Sequence, residues 1–211
     1  MAQQRNIQEP RPSQPIAVFD SGFGGISVLK ELARLMKDAY RGGGYTVAVR
    51  GNGKTVICAN AWAVEIDDAS LPREALSMMA LHMGFLPEPD EAFTIYKGNK
   101  EPTVQTKDFD VAVQCITQLD ALLKEAEARK ARVRKTVLTY NGYSIWQQGN
   151  GNILLIDPVR EQLLYKKDDV LSAGTAIFAG DSESRVYIIC QPEPEIRILQ
   201  IMAEVSWPTV Q

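Results

Sequence analysis

Three glycine-bearing turns limit this chain more than any other feature. Gly51-Asn52-Gly53, Asn141-Gly142 and Gly149-Asn150-Gly151 each lie between short alternating or apolar runs. Such turns allow positive φ at little cost, so the chain reverses within two or three residues. Connections that short join antiparallel neighbours, because parallel strands need a long crossover. The first turn separates an alternating run at 45–50, with Val47 and Val49 on one face, from a second run at 55–66. The other two separate strands expected at 137–140, 143–147 and 153–156. Further strands are expected at 176–179, 185–190 and 196–205, with a turn at 181–184. Residues 159–164 read as strand or as a turn of helix. Tyr45 and Tyr143 each precede a Gly-Asn-Gly by six residues. Two hairpins choosing the same favoured turn explain this echo, since two copies are too few to define a repeat.

Helical spacing appears in three places. Ile26, Leu29, Leu32, Ala33 and Met36 form a stripe over 26–37, and Tyr40 with the glycines up to Gly44 is expected to end that helix. Asp67 to Ser70 offer caps, Pro72 suits a first helical position, and residues 73–83 read as a helix stopped by Gly84 and Pro87. Asp108 is a plausible N-cap for a long helix over about 109–135, with Ala112, Ile116, Leu119, Leu123 and Ala126 as its apolar stripe. Its basic end, Arg129 to Lys135, suits a helix C-terminus. Residues 92–97 read as a strand and 97–106 as a loop or linker. The expected fold class is α+β. The chain divides into a leader at 1–14, a strand–loop–helix segment at 15–41, a hairpin–helix unit at 42–106, and a long helix with a mostly antiparallel sheet at 107–211. The last two are candidates for a single domain.

Composition narrows function by exclusion. The 211 residues suffice for one large domain or two small ones. A formal net charge of −3 argues against a generic nucleic-acid binder, which needs a basic surface. No apolar run reaches membrane-spanning length, and the leader lacks the apolar core of a signal peptide. Cys58, Cys115 and Cys190 are scattered and odd in number, which implies neither a disulfide framework nor a metal site and points to a reducing cytoplasm. The cysteines read as core thiols. His82 is the one histidine; no nucleophile partner is visible for it, and it reads as a helix-end residue.

The segment Ala17-Val18-Phe19-Asp20-Ser21-Gly22-Phe23-Gly24-Gly25-Ile26-Ser27-Val28-Leu29-Lys30-Glu31-Leu32 resembles the N-terminus of glutamate racemases. It covers about a tenth of the chain. The resemblance implies that Asp20 and Ser21 lie beside an amino-acid substrate, with Gly22, Gly24 and Gly25 shaping the loop. It also implies cofactor-independent inversion by two cysteines facing the α-carbon from opposite sides. That chemistry needs two acid/base groups, because the proton returns to the face opposite the one it left. The family's first cysteine stands in Cys-Asn-Thr; here the nearest stretch is Val56-Ile57-Cys58-Ala59-Asn60-Ala61. The second stands in Cys-Thr-His; neither Cys115 nor Cys190 is followed by histidine.

The leading expectation is therefore a non-catalytic binding or interaction protein carrying a racemase-like segment, with no cofactor and no metal. Its partner is a protein or small molecule left unnamed by the sequence, and free sheet edges raise homo-oligomerisation. One alternative is a divergent racemase-family enzyme using Asp20, Ser21 and Cys58. Another is a binder of an amino acid or nucleotide, held by Asp20, Ser21, Gly24 and Gly25 or by the hairpin faces. A glycine loop before a helix offers backbone N–H groups to an anion. Asp67-Asp68 and Asp168-Asp169 read as turn and capping residues. Trp62, Trp146 and Trp207 read as core aromatics.

Overall fold

The computed structural model describes residues 26–129, 131–164, 170–180 and 184–190, with the side chains of 26–30, 115 and 119 excepted. The expected leader, the strand at 15–19, the loop carrying Asp20, Ser21, Gly24 and Gly25, Asp168-Asp169, the strand at 196–205, Trp207 and most of the turn at 181–184 lie outside these residues.

The fold is α+β. Helix α1 (Ile26–Gly42) leads into strands β1 (Tyr45–Arg50), β2 (Lys54–Ala59) and β3 (Trp62–Asp67). After a 3-10 turn come α2 (Arg73–Met83), β4 (Ala92–Lys97), β5 (Pro102–Thr106) and α3 (Phe109–Ala128). Then follow β6 (Val133–Tyr140), β7 (Tyr143–Gln148), β8 (Ile153–Ile156), the short α4 (Pro158–Glu161), β9 (Val170–Ala173), β10 (Ala176–Gly180) and β11 (Ser184–Ile189). Among the described residues, eight strands form one sheet in the order β5-β4-β1-β2-β3-β11-β10-β9, and β6-β7-β8 form a smaller one. Every pairing is antiparallel. The large sheet thus takes strands from both sides of residue 107.

Both faces of the large sheet are covered. On one, Val47, Ile57, Val64, Ile95, Ile177 and Val186 pack with Leu32 and Met36 of α1, Met79 of α2, and Trp146 and Leu154 of the small sheet. On the other, Ala48, Val56, Ala63, Phe178 and Tyr187 meet Ala112, Val113 and Ile116 of α3. The small alanines under α3 let its backbone approach the sheet. Central β3 is buried from Trp62 to Ile66.

The turns differ in kind. Asn141 and Gly142 both have positive φ, +48° and +82°, as a two-residue hairpin loop requires. Gly51-Asn52-Gly53 is a three-residue loop in which Gly53 alone is left-handed, at +76°, and its N–H bonds the Arg50 carbonyl. Gly149-Asn150-Gly151 repeats that form, with Gly151 at +88° bonding Gln148. The echo is one turn type used twice, in two different sheets.

Several expectations are corrected. The run at 55–66 is two strands, reversed at Asn60-Ala61 without positive φ. Helix α1 runs on through Arg41 to Gly42. Residues 102–106 are an edge strand, with Pro102 at its first position, where a missing N–H is tolerated. Helix α3 keeps its Asp108 cap, whose Oδ1 accepts from Val111 N–H at 3.0 Å, but ends at Ala128. Arg134 and Lys135 belong to β6, because the Asn141-Gly142 hairpin gives that segment a strand partner that overrides its helical propensity. Pro72 precedes α2, and Asp67 caps nothing through its side chain; Asp68 instead accepts from the Thr55 hydroxyl at 2.6 Å. Strand β9 was not expected at all.

Candidate functional site

Among the described residues two polar constellations stand out. The first centres on Glu65, mid-strand in β3 on the α3 face, with its side chain fully buried. Its Oε2 accepts from Arg50 Nη1 at 2.5 Å and its Oε1 from Arg185 Nε at 2.9 Å. Arg185 Nη1 donates onward to Asp120 Oδ1 of α3 at 2.6 Å, and the Tyr187 hydroxyl donates to the same oxygen at 3.1 Å. Lys54 lies 3.3 Å from Asp67 and 3.9 Å from Glu65. Three cations therefore meet three carboxylates. Burial alone would raise the Glu65 carboxyl, but bonds and charge from Arg185 and Arg50 outweigh it and hold it below the usual range. Burial likewise opposes the Arg185 charge, but the hydrogen bond to Glu65 and the acidic groups of Tyr187, Glu65 and Asp120 around it outweigh this, so its pKa rises. Burial also pushes the Tyr187 phenol up. Every charge here is matched, and the network ties α3 to β1, β2, β3 and β11.

The second is a cleft of about 510 Å³ where the C-terminal part of α3 meets two hairpin loops. Glu125 of α3, Arg129 just past its end, Arg132 before β6, Gln148 at the end of β7, Asn150 of the β7–β8 loop, and Ser172 of β9 line it. Arg129 is largely exposed and pairs with Glu125 at 2.8 Å, one helical turn back. Gln148 Nε2 donates to Ser172 Oγ at 2.9 Å, which fixes one wall. Asn150 Oδ1 accepts from Asn152 N–H at 3.0 Å, leaving its NH2 as a donor. The cleft exists because α3 stops at Ala128 and the chain turns back along β9, where Ser172 N–H bonds the Ala131 carbonyl.

Of the sequence-selected site residues, Cys58 alone is described. Cys58 is half-buried in β2 on the α3 face, while Asp20, Ser21, Gly24 and Gly25 lie outside the described residues. Cys190 is core, and burial pushes its thiol up to about 12. His82 lies in the last turn of α2, stacked on Tyr40 at 3.9 Å with Nδ1 3.0 Å from the Tyr45 hydroxyl. Burial lowers its pKa and raises that of Tyr45. Trp62 and Trp146 are buried. Among the described residues no cluster of three or more His, Cys, Asp or Glu is placed to hold a metal ion, and no helix is long and apolar enough to cross a membrane.

Sequence reasoning passed over Glu65, although a carboxylate inside Trp62-Ala63-Val64-Glu65-Ile66 is itself a signal of a buried ion pair. The cleft left no such trace, since its walls come from segments far apart in the chain.

No protein-family model and no curated protein sequence matches the chain. Among solved structures it is similar to the crystal structure of the DNA polymerase sliding clamp from Bacillus subtilis, at 9% identity and a TM-score of 0.35. That match covers 83% of this chain and 66% of the clamp chain. So loose a likeness assigns neither fold family nor function.

Proposed function

We propose that this chain acts by binding rather than catalysis, and that the α3 cleft takes a small ligand bearing a carboxylate or phosphate. The observation that carries this reading is convergence: Arg129, Arg132, Gln148 and Asn150 reach one concavity from three segments. Its volume is within the range of small-molecule sites, which characteristically combine an apolar floor with a few placed polar groups. Leu122 and Ala126 supply the apolar part here. Arg129 and Arg132 bring guanidinium groups, whose planar forks match the oxygens of a carboxylate or phosphate. The Glu65 network favours binding over acid–base chemistry from the other side. Its carboxylate is committed to two arginines, and a general base must be able to take up a proton near neutral pH.

The test is a thermal-shift panel of inorganic phosphate, D- and L-glutamate and ATP, followed by calorimetry on any hit. A ligand at a hundred times its Kd adds about 2.7 kcal/mol to the folded state, or roughly 5–10 °C for a domain of this size. Arg129→Ala should abolish the shift, and the ligand should be recovered chemically unchanged. A panel without any shift, or a shift that survives both Arg129→Ala and Arg132→Ala, refutes the assignment.

A further inference from the structure

We infer that two copies of this chain associate through β5, edge to edge and antiparallel about a two-fold axis at Val104. The large sheet has two ends of unequal character. At the β9 end, Arg132 bridges Leu171 and the Ala131 carbonyl accepts from Ser172 N–H, so that edge is covered. At the other end, among the described residues, β5 pairs on one side, with β4. Lys107 N–H bonds the Ala92 carbonyl. By the alternation of an antiparallel ladder, the Thr103 and Gln105 amides also turn toward β4, and those of Val104 and Thr106 turn outward. Unpaired outward groups on an edge strand are a template for another strand.

The ends of β5 identify that strand. Glu101 and Lys100 precede it, Lys107 and Asp108 follow it, and all four are exposed. In a register with Val104 opposite Val104 of the other copy, Pro102 faces Thr106, Glu101 faces Lys107 and Lys100 faces Asp108, each twice by symmetry. The Val104 groups exchange bonds with their own copies, and each Thr106 N–H reaches the other chain's Pro102 carbonyl. Pro102 contributes no donor, which costs the pairing only its outermost bonds. Within one chain Glu101 and Lys107 are about 20 Å apart along the strand, so they do not pair with each other in the monomer.

A five-residue strand is a small contact beside the roughly 1,200–2,000 Å² of a stable interface. The neighbouring end of α2 adds apolar surface. Leu81, Phe85 and Leu86 are 76%, 43% and 51% exposed, and Phe85 stacks edge-on against Phe93, the β4 residue opposite Thr106. Val104 lies on that same face.

Sedimentation and light scattering on the full chain, over a concentration series, test this. The parent should form a dimer. Val104→Pro should be monomeric, because it removes an outward N–H and no bond to β4. Glu101→Lys and Lys107→Glu, both surface changes, should each weaken self-association about tenfold at low salt by setting like charges opposite each other. Mixing the two single variants should restore a dimer of parental affinity, since every facing pair is then opposite in charge. A parent that stays monomeric, a dimer indifferent to these substitutions, or a mixture no tighter than its components overturns the interface. If Val104→Pro fails to fold, the charge-swapped mixture decides alone.

Discussion

Replacing Glu65 with glutamine tests whether the polar network under α3 holds the fold together. The substitution keeps shape and removes one charge. Arg50 and Arg185 would then share Asp120 and Asp67 with Lys54, and the amide NH2 would meet a guanidinium donor. Removing one partner of a buried ion pair typically costs about 3–5 kcal/mol, mostly because the other charge is left uncompensated. Glu65 is fully buried, but Arg50 and Arg185 are 29% and 31% exposed, so water reaches them. The expected cost is therefore at the low end, about 3 kcal/mol. At roughly 2–4 °C per kcal/mol for a domain of this size, Tm should fall by about 6–12 °C.

The pH dependence supplies a second readout. The folded-state pKa of Glu65 is depressed, so its contribution is fully present above the unfolded value, about 4.3. It is lost as pH falls through the folded value. Urea unfolding should show a constant gap between parent and Glu65→Gln from neutral pH down to about 5, narrowing in stronger acid. A loss below about 1 kcal/mol at pH 7, or a gap that stays constant in acid, would refute the reasoning. The control is Arg50→Met with Glu65→Leu and Arg185→Met, which should recover part of the loss: the apolar groups need no countercharge, and Asp120, 31% exposed, keeps the Tyr187 hydroxyl and water.

Two further outcomes are expected. Glu161→Ala should cost about 3 kcal/mol in urea unfolding, because the carboxylate accepts from Trp146 Nε1, Ser144 Oγ and Lys135 Nζ at 2.6, 2.8 and 2.9 Å and so pins α4 to the small sheet; a loss under about 1 kcal/mol would mean water replaces it freely. Purified chain should exchange no α-hydrogen of D- or L-glutamate with deuterated solvent, and Cys58→Ser should keep ligand binding; exchange that depends on Cys58 would instead establish a racemase site.

What was legible in the sequence follows from where the information is stored. The strands bordered by glycine turns and the Asp108-capped start of α3 were readable because each is specified by adjacent residues. The reversal at Asn60-Ala61 was not, since no glycine marks it and the alternation runs through it almost unbroken. The end of α3 was misplaced because Arg129 to Lys135 are good helix formers; what makes 133–140 a strand is β7, ten residues further on. The assembled sites were least legible. Glu65 and Arg185 are 120 residues apart and meet because β11 pairs with β3. The motif that was conspicuous, Asp20 to Gly25, lies outside the described residues, whereas the residues that converge carry no motif.

The two constellations share one helix, and this joins stability to binding. Asp120 is the residue of α3 through which the Glu65 network grips the helix. Leu122, Glu125, Ala126 and Arg129, the α3 wall of the cleft, follow within nine residues. At 1.5 Å per residue that wall begins about 3 Å and ends about 14 Å beyond the anchor. Small alanines under the helix give it close approach but little interlocking, so the charged anchor fixes its position along the sheet. Glu65→Gln should then weaken cleft binding even at temperatures where the protein remains folded, and by more than Glu161→Ala, which removes a carboxylate that bonds β6 and β7 rather than α3. Equal binding losses in the two variants, measured by calorimetry well below Tm, would show that the network sets stability alone.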